Sequence, residues 1–171
     1  WFYSDVMFVY ENGLFSGTDS RSFSPNASMT RAMLVTVLYR LEGEPVGTGS
    51  SFSDVRSGSY YEKAVAWAAA NGIVTGTGST SFSPDAKVTR EQLAAILYRY
   101  AQYRKLDTDA SAKLNSFTDA DSVSAYASEA LGWAVSEGLI NGASGKLMPK
   151  GDATRAQVAA ILHRFVKNVL N

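Results

Sequence analysis

Three arginines occupy the same unusual place in this sequence. Arg31, Arg90 and Arg155 each follow a threonine with the character of a helix N-cap, in "MTRAMLVTVLYRL", "VTREQLAAILYRY" and "ATRAQVAAILHRF". An arginine there adds positive charge to the positive end of the helix dipole, where carboxylates are normally favoured. One use of such a placement is anion binding. The capped N-terminus offers unpaired backbone N–H groups, and the guanidinium adds a planar fork that fits a carboxylate. The other use is internal: ion pairs with Asp54 and Asp119 that tie neighbouring segments together, and a guanidinium has donors enough for both. The two readings stand side by side at this level.

The elements that must position these arginines form a repeat. Superposing the Thr-Arg pairs brings Gly13, Gly72 and Gly138 into register, then Gly17, Gly76 and Gly142, Pro25, Pro84 and Pro149, and Arg40, Arg99 and Arg164, giving three copies of about 60 residues. Ahead of the first glycine, apolar residues at helical spacing (Phe2, Val6, Val9; Tyr61, Val65, Ala68; Ala127, Leu131, Ala134) predict a first helix. Its glycine suits a left-handed C-terminal cap, and Phe8, Trp67 and Trp133 inside it read as core. A Gly-, Ser- and Pro-rich connector follows, plugged into the core by Phe23, Phe82 and Leu147. The second helix carries a stripe such as Leu93, Ile96, Leu97 and Tyr100, and the three stripes are expected to pack on one another, with Val37, Ile96 and Ile161 near a common axis. Thr89 with Gln92 and Thr154 with Gln157 form capping boxes; Thr30 faces Met33 and lacks the reciprocal bond.

Copies two and three also have a lead-in, "FSDV" and "FTDA", that copy one lacks. Trp1 aligns with Tyr60 and Tyr126, so the corresponding Phe-x-Asp reads as cut off or never expressed. The copies are expected at residues 1–45, 50–105 and 115–171, joined by short Gly-, Ser- and charge-rich linkers into one mostly α-helical, pseudo-threefold domain.

Composition removes several function classes. Lysine plus arginine and aspartate plus glutamate number 16 each, so no bulk field favours nucleic acid or an anionic membrane. The chain has no cysteine, which excludes thiol chemistry and zinc–thiolate sites. No stretch has the length and apolarity of a membrane span, and the first residues lack a signal-peptide pattern. His163, the single histidine, aligns with Tyr39 and Tyr98 and reads as a packing substitute. No catalytic triad, phosphate loop, metal site or cofactor motif can be assembled, which makes an enzyme the least supported class.

The order Phe-x-Asp-Val, an aromatic-bearing helix, Asn-Gly-Ile-Val-x-Gly, Phe-x-Pro and Thr-Arg-Glu, seen as "FSDV", "NGIVTGT" and "FSPDAKVTREQLAAILYRY" in copy two, resembles the S-layer homology repeat, and the resemblance covers nearly the whole chain. It implies a three-repeat bundle that anchors exported proteins to the bacterial cell wall from outside the cell. It also implies a partner, a secondary cell-wall polysaccharide or other peptidoglycan-linked glycan, often carrying a pyruvate ketal, held in grooves between repeats. On that reading Arg31, Arg90 and Arg155 meet the ketal carboxylate with Asp54 and Asp119 nearby. Gly17, Gly76 and Gly142 let the backbone approach the sugar, and Trp1, Tyr60 and Tyr126 offer it a flat face. The arginines are then expected to carry affinity and little stability, whereas Arg40, Arg99 and Arg164 read as a solvated face or an end-of-helix charge favourable to the dipole. The rival reading is a protein-interaction or self-assembly module, with self-association through the incomplete first repeat.

Overall fold

Every second helix starts at its threonine. The computed structural model describes residues 1–171 and contains six α-helices and no β-strand: α1 (Tyr3–Glu11), α2 (Arg31–Leu41), α3 (Glu62–Ala70), α4 (Arg90–Tyr103), α5 (Ser128–Ser136) and α6 (Arg155–Phe165). The Thr30, Thr89 and Thr154 hydroxyls accept from the N–H three residues on, and the reciprocal glutamine bond is present at Thr89 and Thr154 but not at Thr30. Each first helix is followed by a left-handed glycine, Gly13, Gly72 and Gly138, at φ of 68°, 69° and 68°. Only glycine adopts that conformation without steric cost, so these residues end the helix and turn the chain into its connector.

The helices pair between copies. α2 packs on α3, α4 on α5, and α6 closes the ring on α1. The expected packing of second helices on one another therefore gives way to second helix on the following copy's first helix. The stripes are buried in these seams, with Leu34, Leu38, Leu93, Leu97, Val158 and Leu162 fully inaccessible, while Val37 and Ile161 line surface grooves. One aromatic pair marks each seam: Tyr39 with Trp67 at 5.7 Å, Tyr98 with Trp133 at 5.5 Å, and His163 stacked on Phe8 at 4.1 Å. His163 is thus the packing counterpart of two tyrosines, and its Nδ1 lies 2.8 Å from Asp5 Oδ1.

What lies at the centre is backbone. Met29 N–H donates to Ala153 O, Ala153 N–H to Val88 O and Val88 N–H to Met29 O, at 2.8, 2.8 and 2.9 Å, a closed triangle with one member per copy. All three residues are buried and immediately precede the capping threonines.

With each cap tied to both other copies, the copies should lose structure together. Thr30→Ala, Thr89→Ala and Thr154→Ala should each destabilise the whole chain by about 1 kcal/mol, visible in urea denaturation followed by far-ultraviolet circular dichroism as one shifted transition. Separate steps for separate copies would refute this account of the ring.

Candidate functional site

The helix N-termini that the sequence offered as anion sites have partners already. Arg31 and Ala32 N–H donate to Ala86 O and Pro84 O, Arg90 and Glu91 N–H to Gly151 O and Pro149 O, and Arg155 and Ala156 N–H to Ala27 O and Pro25 O, all at 2.9–3.0 Å. The following N–H is taken by the threonine cap. Each helix start is therefore capped by the connector of another copy, and no free N–H group is left there for a ligand.

Two of the three arginines complete the same joint. Arg31 donates from Nε to Phe82 O at 2.9 Å and from Nη2 to Thr75 O at 2.8 Å, with its guanidinium 4.6 Å from the Phe82 ring centre. Arg155 repeats this with Phe23 O at 2.8 Å, Ser16 O at 2.7 Å and the Phe23 ring at 4.6 Å. The charge that opposes the helix dipole is thus matched by carbonyl oxygens and a ring face of the next connector. Burial lowers the pKa of all three arginines, with Arg99 adding to the effect on Arg31. Their ordinary value is so high that they stay charged.

Arg90 departs from this pattern. Leu147 stands where the other connectors have phenylalanine, and Gly151 stands where they have Ala27 and Ala86, so the guanidinium lies against the bare Gly151 backbone. Its Nη2 donates to Gln157 Oε1 at 3.0 Å and Nη1 reaches Met148 O at 3.5 Å, which leaves donors free.

The aspartates do not pair with the arginines. Asp54 accepts from Phe82 and Ser83 N–H at 2.8 Å each, and Asp119 from Leu147 and Met148 N–H at 2.8 Å each. These bonds hold both carboxyls below the usual aspartate range. The glycines also serve the connector. A Cβ on Gly76 would meet Gly78 O and Ser81 O at 2.7 Å and the Phe52 ring at 2.8 Å, and one on Gly142 would meet Lys146 O at 2.6 Å and the Phe117 ring at 2.8 Å. A Cβ on Gly17 would likewise meet Asp19 O at 2.5 Å and Ser22 O at 2.8 Å. The Cα-proton side of Gly76 and Gly142 is thus covered by the connector and the lead-in phenylalanine, while Gly17 and Gly142 also line grooves.

Around these joints lie two grooves, each drawing on all three copies. One, of about 540 Å³, combines Arg155, Arg40, Ser16, Gly17 and Tyr60. Another, of about 330 Å³, combines Arg90, Arg164, Asn141, Gly142, Gln157 and Trp1. The third combination, Arg31, Arg99 and Tyr126, is close enough for Arg99 to act electrostatically on both of the others. Trp1, Tyr60 and Tyr126 are exposed, at 80%, 63% and 55%, and Trp1 and Tyr60 line the two grooves.

Sequence reasoning missed Arg40 and Arg164. They are half-buried groove residues, Arg40 donating to Leu14 O and Ser16 Oγ, Arg164 to Leu139 O. Arg31 and Arg40 are nine residues apart, about 180° around a helix, so neither shares a face with the other. Arg40 meets Arg155 instead, across a copy boundary. Glu91, where the other copies have Ala32 and Ala156, was also missed. It is 3% exposed and accepts from Ser124 N–H, Ser124 Oγ, Lys150 Nζ and, at 3.4 Å, the Tyr126 hydroxyl. Burial pushes its pKa up, but the bonds from Lys150 and Ser124 outweigh this and hold the carboxyl ionised.

Comparison with known proteins agrees with this architecture. The family model described as the S-layer homology domain matches residues 1–32, 51–94 and 116–159, and the chain belongs to that family. It is similar to an endoglucanase of Bacillus sp. (strain KSM-635), 32% identical over 99% of this chain and 18% of that protein. It also resembles an amylopullulanase of Thermoanaerobacterium thermosulfurigenes, 33% identical over 88% of this chain and 8% of that protein. A surface-layer 125 kDa protein of Lysinibacillus sphaericus is 31% identical over 96% of this chain and 14% of that protein. The chain thus spans less than a fifth of the length of each. It is a three-repeat module of that family and belongs to the bacterial cell surface.

Two outcomes follow. Arg155→Ala removes two charge-assisted bonds to connector carbonyls and should destabilise by about 1.5–3 kcal/mol, and Arg90→Ala by less than about 1 kcal/mol, compared by thermal unfolding. Because the folded-state pKa of Asp54 and Asp119 lies below the unfolded value near 4, their stabilisation is full above about pH 4 and lost as pH falls through the depressed values. The melting temperature of the Asp54→Asn, Asp119→Asn double variant should therefore depend less on pH below about 4 than that of the parent.

Proposed function

We propose that the grooves hold a glycan bearing an anionic substituent, and that the pyruvate ketal of a wall polysaccharide is that substituent. The observation carrying this reading is the shared make-up of the grooves: an arginine from one copy, a second-helix arginine from another and an exposed aromatic from the third. An aromatic face and a guanidinium suit a pyranose ring with a carboxylate at its edge. The net charge is zero, so the selectivity is local, and a ketal supplies one carboxylate on an otherwise neutral sugar.

The groove of Arg90, Arg164 and Trp1 is the better equipped of the two. Arg90 retains free donors, and the Asn141 and Gln157 side chains add neutral hydrogen-bonding groups for sugar hydroxyls. In the groove of Tyr60, Arg155 is fixed to the connector, and Arg40 is the arginine left to meet a ligand. Asp54 and Asp119 act here as positioning residues that shape the connectors. The relatives carry similar stretches within an endoglucanase, an amylopullulanase and a surface-layer protein, three different tasks, which favours a common attachment role over a part in any one reaction.

Binding to purified cell-wall sacculi tests the reading. The chain should sediment with sacculi and cease to do so once the polysaccharide is extracted with acid. Arg90→Ala should weaken binding about ten- to a hundredfold, the equivalent of one charge-assisted bond, with Arg90→Lys restoring part of it. Retention on extracted sacculi, or normal binding by a folded Arg90→Ala, would sink the proposal; concentration-dependent self-association without sacculus binding would favour the assembly module.

A further inference from the structure

Met148 stands where the other two connectors carry a serine, in the wall of the groove of Arg90. The Ser24 and Ser83 hydroxyls are tied to Thr18 and Thr77 at 2.7 and 2.6 Å, whereas copy three has Ala143 at the threonine position and offers Met148 no such tie. The Met148 backbone is held all the same. Its N–H donates to Asp119 Oδ2 at 2.8 Å, and its carbonyl accepts from Gly151 N–H at 3.0 Å. A fixed backbone therefore carries an untethered thioether with three rotatable bonds, and the residue is 39% exposed.

Sulfur chemistry in this chain is confined to four methionines, because cysteine is absent. Met29 is inaccessible, Met7 and Met33 are half-buried, and Met148 is the most exposed of the four. A peroxide therefore reaches Met148 first. The sulfur lone pair attacks one peroxide oxygen, the S–O bond forms as the O–O bond breaks, sulfur gives up two electrons, and the other oxygen leaves as water with both protons. The product changes what stands beside Arg90. Met148 O lies 3.5 Å from Arg90 Nη1, so the end of the same side chain is within reach of a guanidinium that keeps donors unused by Gln157. A thioether sulfur is a weak acceptor, and a sulfoxide is polar with an oxygen to offer. Carbonyl oxygens already occupy Arg31 and Arg155 in this way.

We propose that Met148 is an oxidation site for hydrogen peroxide, and that its sulfoxide takes the free donors of Arg90 and withdraws them from an anion in the groove. The effect on wall binding rests on the groove being the glycan site; the tie between sulfoxide and guanidinium does not. Brief peroxide treatment of the 171-residue chain, followed by peptide mass mapping, should show one added oxygen at Met148 ahead of Met7, Met29 and Met33. In the oxidised chain, labelled with ¹⁵N and free of ligand, the Arg90 guanidinium resonances should move, and the two epimer-specific methionine sulfoxide reductases together should return them. Thermal unfolding should occur no lower than in the untreated chain, because the sulfoxide adds a tie to the joint. Sedimentation with sacculi should weaken about tenfold or more on oxidation, with no loss when Met148→Leu is treated and no further loss when Arg90→Ala is treated. The two readings fail separately. An untreated chain that never sediments with sacculi refutes the glycan site and leaves the Arg90 resonances to decide the tie. Unmoved Arg90 resonances, earlier oxidation of another methionine, or an equal loss of binding by treated Met148→Leu would each overturn the proposal.

Discussion

The structure depends on how the N–H groups at the starts of three helices are satisfied. A helix N-terminus brings donors without intrahelical partners, and burying three of them around one axis would be costly if they stayed unpaired. The threonine caps satisfy one donor each, and carbonyls of another copy's connector take the two before it. The acceptors needed by copy one lie in copy two, those of copy two in copy three, and those of copy three in copy one. That cyclic debt explains why the copies close into a ring and why α6 returns to α1.

The same exchange builds the grooves. A connector that caps the neighbouring helix must lie across the copy boundary, so its outer edge becomes one wall, while the arginine at the capped helix and the arginine near the end of the connector's own second helix stand on either side. The aromatic at the start of a third copy completes each set. Binding surface and folding joint therefore share residues, and Arg155 shows the consequence: a side chain in a groove wall whose donors are occupied by the carbonyls of Ser16 and Phe23.

Departures from perfect repetition give the grooves different chemistry. Leu147 removes the ring under Arg90, and Gly151 gives its guanidinium another place to lie, which together turn a strut into a side chain with donors to offer. Glu91, in place of alanine, ties Ser124, Tyr126 and Lys150 into one network and holds the Tyr126 hydroxyl. Tyr60 and Trp1 have no equivalent of that tie because Ala32 and Ala156 carry no carboxylate.

The sequence alone determined what is local and periodic. The three copies, their six helices, the threonine caps with two capping boxes, the left-handed glycines and the helical fold class all depend on residues within a turn or two of one another, where hydrogen-bonding reach and steric limits act directly. The packing role of His163 was legible too, because two tyrosines at its register showed what that position does. Tertiary structure decided whatever depends on partners from another copy. That the N–H groups beside Arg31, Arg90 and Arg155 are filled, that two of those arginines are struts, that Asp54 and Asp119 clamp connectors, and that Arg40 and Arg164 face grooves all follow from which second helix packs on which first helix. Repeat periodicity is silent on that choice, because a copy carries the same donors and acceptors whether they are matched within it or with its neighbour; only closure of the ring brings Ala86, Gly151 and Ala27 to the helix starts they cap.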